Sequence, residues 1–132
     1  GPRDPANDGT AKTSVRAAMT AAETEFAQTQ SYASLSADRI TELEPSITAS
    51  DLGPGAETAS IGPAANGKRV VTLGSASPGL VKLCAASKSG KVFCAKLTSN
   101  QATQYYTLSG ADAASWTAVN TATDAAGSTG EF

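Results

Sequence analysis

The residues with the clearest chemical potential are two cysteines, Cys84 and Cys94, in a chain of 132 residues that has no histidine. Without histidine, neither a Ser-His-Asp nor a Cys-His nucleophile can be assembled, and no imidazole-containing metal site can form. A separation of ten residues rules out a CxxC redox pair, and two thiolates alone fall short of a metal's ligand set. Gly62 and Gly67-Lys68 approach phosphate-loop spacing, but Arg69 stands where that loop needs Ser or Thr. Asp112 and Asp124 are too isolated to supply the roughly six oxygen ligands that calcium takes. Tyr105, Tyr106 and Trp116 could build an aromatic platform for a sugar or a surface. Strand alternation instead sends the two tyrosines to opposite faces and leaves Trp116 at the sheet edge. These readings leave no catalytic, cofactor-binding or metal-ligating set, so a non-enzymatic protein with no cofactor is expected.

The elements that position these residues are drawn from an unusual composition. Ala, Ser and Thr number 26, 15 and 16, whereas Leu, Val, Ile and Phe together supply only 20 residues. That is a thin core, yet a net charge of −2 is too small for the usual signature of disorder. One domain over residues 3–120 is expected, with residues 121–132 as a flexible tail. No basic block is present, which argues against nucleic acid as a specific partner. No run of about 18 apolar residues is present to span a membrane.

Four strands are expected between residues 69 and 108: RVVTL, LVKLCAA, KVFCAKL and QYYTL, joined by short connections that favour an antiparallel meander. Alternation places Val81, Leu83 and Ala85 with Phe93, Ala95 and Leu97 on one face. Cys84 and Cys94 share the other with Lys82 and Lys96, which reads as the wetter side. If Lys88-Ser89-Gly90 is a three-residue hairpin loop with Gly90 left-handed, Ala86 pairs with Val92 and Cys84 with Cys94. A disulfide there would contribute roughly 2–3 kcal/mol and imply an oxidising compartment. A two-residue turn would set Cys84 against Ala95 instead and leave two buried thiols, and a direct cross-strand bridge is geometrically tight.

Upstream, residues 10–30 contain neither Gly nor Pro and form a helix, with Asp8 available to accept from its first-turn N–H groups. Ala11, Val15, Ala18, Met19, Ala22 and Phe26 make one apolar stripe. Thr13, Ala17, Thr20, Ala21, Thr24 and Gln28 occupy the opposite side, with Lys12, Arg16, Glu23 and Glu25 on the flanks. Small, weakly polar groups there permit close approach by another helix. A second helix over 37–44 is capped by Ser36, faces Ile40 and Leu43 inward and stops at Pro45. Residues 46–67 read as a Gly/Pro-rich loop with room for a short strand at 58–61.

In this order the elements resemble the soluble part of a type IV pilin. The likeness is carried by RDPANDGTAKTSVRAAMTAAETEFAQTQSYASLSADRITELEP, similar to the exposed half of a pilin's long helix. The Gln30-Ser31-Tyr32 turn and short capped helix are those seen in pilins of Gram-positive and related bacteria. VFCAKLT and QYYTL are also pilin-like, and the likeness spans roughly residues 3–110. Gly1-Pro2 reads as a remnant of tag removal, with a pilin's leader and apolar half-helix cut away upstream.

The resemblance implies an α+β, pilin-like fold: a long N-terminal helix packed on a roughly four-stranded antiparallel sheet. It implies a structural subunit of an extracellular filament, inserted in the plasma membrane before assembly and touching it only through the missing N-terminal segment. Its partners would be other copies, related pilins and the pilus assembly machinery; the truncated chain would be a soluble monomer. Val15, Met19, Ala22 and Phe26 would pack the helix on its own sheet, and Thr13, Ala17, Thr20 and Thr24 would pack against neighbouring subunits. Adhesion and twitching motility would belong to the assembly. Cys84 and Cys94 resemble the disulfide pairs that brace pilin domains, although in many pilins the pair lies nearer the C-terminus. Two alternatives remain open: a pseudopilin of a type II secretion or DNA-uptake system, and a secreted adhesin or ligand-binding module.

Overall fold

The computed structural model describes residues 4–52, 61, 66–74 and 76–132. The chain is α+β, with a long helix α1 (Asp4–Thr29), a short helix α2 (Ala37–Leu43) and five strands. The strands are β1 (Thr48–Leu52), β2 (Arg69–Leu73), β3 (Leu80–Ala86), β4 (Val92–Thr98) and β5 (Gln104–Leu108). A 3-10 turn at Gly110–Ala113 and a third helix, α3 (Trp116–Ala122), follow them. The strands lie in the order β1-β2-β3-β4-β5 in one mixed sheet.

α1 starts at Asp4, ahead of the expected start at residue 10, and stops at Thr29. Pro5 is tolerated because first-turn N–H groups have no intrahelical partner, and the interior Gly9 costs only about 1 kcal/mol. Asp8 therefore lies inside the helix and cannot be its cap. Its carboxylate instead accepts from Ser87 Oγ at 2.8 Å and Ser89 Oγ at 2.5 Å, fastening the β3–β4 hairpin to the helix. The helix ends where Gln30 turns left-handed (φ 58°) and its N–H bonds back to Phe26 O at 2.7 Å. α2 starts as expected, with Ser36 Oγ accepting from Arg39 N at 3.2 Å.

The structure adds a strand to the four expected. β1 lies inside the segment read as a loop and runs parallel to β2, pairing Thr48 with Arg69 and Leu52 with Leu73. A parallel pair needs a long crossover, which the connection 53–68 supplies. TASDL shows neither β-branched enrichment nor clean alternation, so nothing in its composition marks it as a strand. The strand expected at 58–61 falls largely outside the described residues.

The other pairings are antiparallel, and the hairpin register is the expected one: Ala86 opposes Val92 and Cys84 opposes Cys94. Gly90 holds the left-handed position (φ 94°), and Ser87 N donates to Lys91 O at 2.8 Å. Val81, Leu83, Ala85, Phe93, Ala95 and Leu97 face α1 in one buried cluster. The opposite face is not wet. Val71, Cys84, Cys94 and Tyr106 form a second buried cluster beneath the 3-10 turn and α3, capped by Trp116 and Val119. Trp116 thus lies over the face of the sheet, not at its edge. Lys82 and Lys96 are buried there because they bond the chain that covers them. Lys82 Nζ donates to Asn120 O and Oδ1, both at 3.0 Å, and to Asp124 Oδ1 at 2.7 Å. Lys96 Nζ donates to Thr123 O at 2.8 Å and Ala125 O at 3.3 Å.

The segment 121–132, expected as a flexible tail, lies against the sheet. Ser128 pairs with Tyr105 on the free edge of β5, and Phe132 packs edge-on against Phe93 and Tyr105. Local composition hides this, because the anchors are backbone groups, the Asp124 and Glu131 carboxylates and one ring, each meeting a partner far along the chain.

Candidate functional site

The face of α1 turned away from the sheet is the candidate site. Its geometry follows from how the opposite face is held. Val15 and Ala22 are fully buried, Met19 is nearly so, and Phe26 is half-buried, stacked on Tyr32 with ring centroids 4.7 Å apart. The buried stripe is wider than the spacing suggests, since Ala21 and Glu25 join it. Ala21 thus leaves the outer set, and Glu25 leaves the flank. Glu25 accepts from Ser34 Oγ at 2.6 Å and Arg39 Nε at 3.1 Å, while Arg39 also reaches Gln28 Oε1 at 3.0 Å. The Ser34 hydroxyl holds the Glu25 carboxyl below the usual glutamate range; burial opposes this, and Arg39 reinforces it. This clasp ties α1 to the start of α2 and to the loop before it.

Of the four residues expected on the outer side, Thr13 and Thr20 are exposed, Thr24 is half-buried, and Ala17 is half-buried and packs against the chain's own core cluster. Thr20 Oγ1 donates to Arg16 O at 3.2 Å and Thr24 Oγ1 to Thr20 O at 2.9 Å. Thr10 and Thr29 bond back four residues in the same way. Each such hydroxyl proton is spent inside the helix. On the outer side this accounts for the hydroxyl donors of Thr20 and Thr24. Beside it, Ala6, Gly9, Thr13, Ala17, Ser46 and Ile47 line an open groove of about 510 Å³ between α1 and the start of β1. Gly9 lacks any neighbour that a Cβ would meet, so the groove floor is helix backbone there. The sequence signal for this groove is partial: Gly9, Thr13 and Ala17 are four apart, but Ser46 and Ile47 arrive only through the turn after α2.

Cys84 and Cys94 form a disulfide with Cα atoms 4.1 Å apart, fully buried and inaccessible to substrate. Tyr105, Tyr106 and Trp116 do not converge on one surface. Tyr106 and Trp116 are buried on the disulfide face, Tyr106 giving its hydroxyl to Ala125 O at 2.6 Å, while Tyr105 lies on the α1 side. Among the described residues, no large hydrophobic side chain is exposed and no group of three or more His, Cys, Asp or Glu could hold a metal ion. No helix among them is long and apolar enough to cross a membrane. Comparison with known proteins adds no relative: no family model, curated protein or solved structure matches this chain.

Proposed function

We propose that this chain is the globular part of a type IV pilin, a structural subunit that assembles through its N-terminal helix into an extracellular filament. The observation that carries the reading is the two-sided α1. One side is buried in the chain's own core through Val15, Met19 and Ala22, with Glu25 held by Ser34 and Arg39, and the other offers small side chains around Thr13 and Thr20. Helices approach closely when the intervening side chains are small, because dispersion contacts then accumulate along both backbones. Polar side chains usually resist such burial, but hydroxyls already bonded to their own helix do not carry that cost. The disulfide and the second core beneath α3 suit a module that works outside the cytoplasm with few large apolar residues.

Antibodies raised against this chain should decorate surface filaments of the producing bacterium, and deletion of its gene should remove them. Thr20→Arg introduced into the full-length gene should abolish filaments, since a long cation cannot enter a close helix contact. The same substitution in the isolated chain should leave Tm within about 2 °C, as expected at an exposed position. Filaments that persist unchanged with Thr20→Arg would refute the assignment of that face.

A further inference from the structure

The sheet face beneath α3 holds a second pair of side chains in reactive contact besides the cysteines. Lys82, on the middle strand β3, is buried, and its Nζ lies 3.0 Å from Asn120 Oδ1 on α3. The same nitrogen donates to Asp124 Oδ1 at 2.7 Å and to Asn120 O at 3.0 Å. An amine, a carboxamide and a carboxylate thus meet at one nitrogen. Directly opposite Lys82 in the ladder stands Lys96, whose Nζ donates to the carbonyl oxygens of Thr123 and Ala125. Two lysines facing each other across neighbouring strands share the single carboxylate of Asp124, and like charges so placed are destabilising.

We propose that Lys82 and Asn120 react to form an intramolecular amide cross-link between β3 and α3, with Asp124 carrying the protons. Asp124 takes a proton from the Lys82 ammonium, and the freed lone pair attacks Asn120 Cγ. The Nζ–Cγ bond forms and the Cγ–Nδ2 bond breaks. In all, two protons pass from Nζ to Nδ2 through the Asp124 carboxylate, and ammonium leaves. Asp124 ends as it began, nothing is oxidised or reduced, and no co-reactant is consumed. Held contact replaces chemical activation, since fixing two reactants side by side is equivalent to an effective concentration of about 10⁵ M or more. The terminal torsion of asparagine is soft, so the carboxamide can turn its face to Nζ with the backbone in place. The hydrogen bond from Lys82, with its charge, holds the Asp124 carboxyl below the ordinary aspartate range. It is therefore ionised and able to accept, though as a weak base, which makes the step slow. Asp124 is largely exposed, which gives ammonium a route to water. The product is a neutral amide, so it relieves the facing lysines and leaves Asp124 as counter-charge to Lys96 alone. It also fastens a helix of only seven residues over the second core. The inference does not rest on the filament reading.

The test is the intact mass of the full chain, disulfide reduced, after about a week at about pH 9, where more of the amine is free to attack. The chain should be lighter than its sequence by about 17 Da, the mass of the ammonia lost. Trypsin should fail to cut after Lys82 and should release one branched peptide joining residues 70–88 to residues 97–132, with the extra bond between Lys82 and Asn120. Lys82→Arg and Asn120→Ala should each abolish the branched peptide, and Asp124→Ala should slow its formation at least tenfold. The wild-type mass decides the matter even if a variant fails to fold. An unchanged mass with Lys82 cleaved by trypsin overturns the proposal, as does the same mass loss without the branched peptide. A loss of about 18 Da, as water, with Lys82 joined to Asp124 overturns Asn120 as the partner.

Discussion

Replacing Glu25 by alanine tests the clasp between α1, Ser34 and Arg39. The carboxylate is nearly fully buried, with Ser34 Oγ at 2.6 Å and Arg39 Nε at 3.1 Å. A hydrogen bond to a charged group contributes about 1.5–3 kcal/mol. Arg39 is about one-third exposed and keeps Glu42 Oε2 at 3.3 Å, so it recovers much of its loss from water and that neighbour. Ser34 does not keep a charged partner. The expected loss is therefore about 2 kcal/mol. With an unfolding entropy of about 2.1 cal/mol/K per residue, a chain of this length loses about 7 °C in Tm. The pH dependence is a second arm. The carboxyl is held lower when folded than when unfolded, so its contribution is fully present above the ordinary glutamate value of 4.5 and disappears as pH falls through the folded value. Urea unfolding of wild type and Glu25→Gln from pH 7 to pH 3 should show the difference between them shrinking below about pH 4.5. Glu25→Ala with Tm unchanged within 2 °C, or a wild-type and Glu25→Gln difference independent of pH, would refute the reasoning.

Three further outcomes follow from other parts of the structure. Replacing both Cys84 and Cys94 by serine should cost about 2–3 kcal/mol, measured by denaturant unfolding, and the native chain should show no thiol reactive with a soluble probe. Lys96→Ala should destabilise by about 2 kcal/mol, since it removes donors to Thr123 O and Ala125 O and the stem beneath them; Lys96→Met, which keeps the stem, should cost about half as much in the same assay. Gly127→Ala in the full chain should detach residues 127–132 from β5, seen as loss of Tyr105 and Ser128 amide protection, with a cost of about 1–3 kcal/mol from forcing a methyl into Tyr106.

Local rules read well where the chain is governed by its neighbours. Ser36 caps α2 because its hydroxyl is three residues from Arg39 N, and Gly90 turns the hairpin because glycine alone takes φ near 94° without strain. From that turn the period of two fixes the rest: Cys84 opposes Cys94, and the side chains that face α1 are decided together. The helix stripe from Val15 to Phe26 follows from the 3.6-residue period in the same way. These features depend on residues within one turn or one hairpin, so they were legible in the amino-acid order, with the choice between a two- and a three-residue turn left to the structure.

Tertiary structure decided whatever depended on distant chain. β1 has little strand character and exists because β2 offers it an edge. Asp8 looks like a helix cap, yet it bonds Ser87 and Ser89 across the fold. Lys82 and Lys96 look like markers of a wet face; they are buried because carbonyls of residues 120, 123 and 125 come down to meet them. Glu25 reads as a flank charge until Ser34 and Arg39 surround it. For Asp8, Lys82, Lys96 and Glu25 the place of the polar group was set by partners outside its own turn or hairpin. Apolar periodicity needs only a surface to bury against, so it declares itself locally, whereas a hydrogen bond beyond the local turn needs one particular distant atom, which only the folded chain supplies.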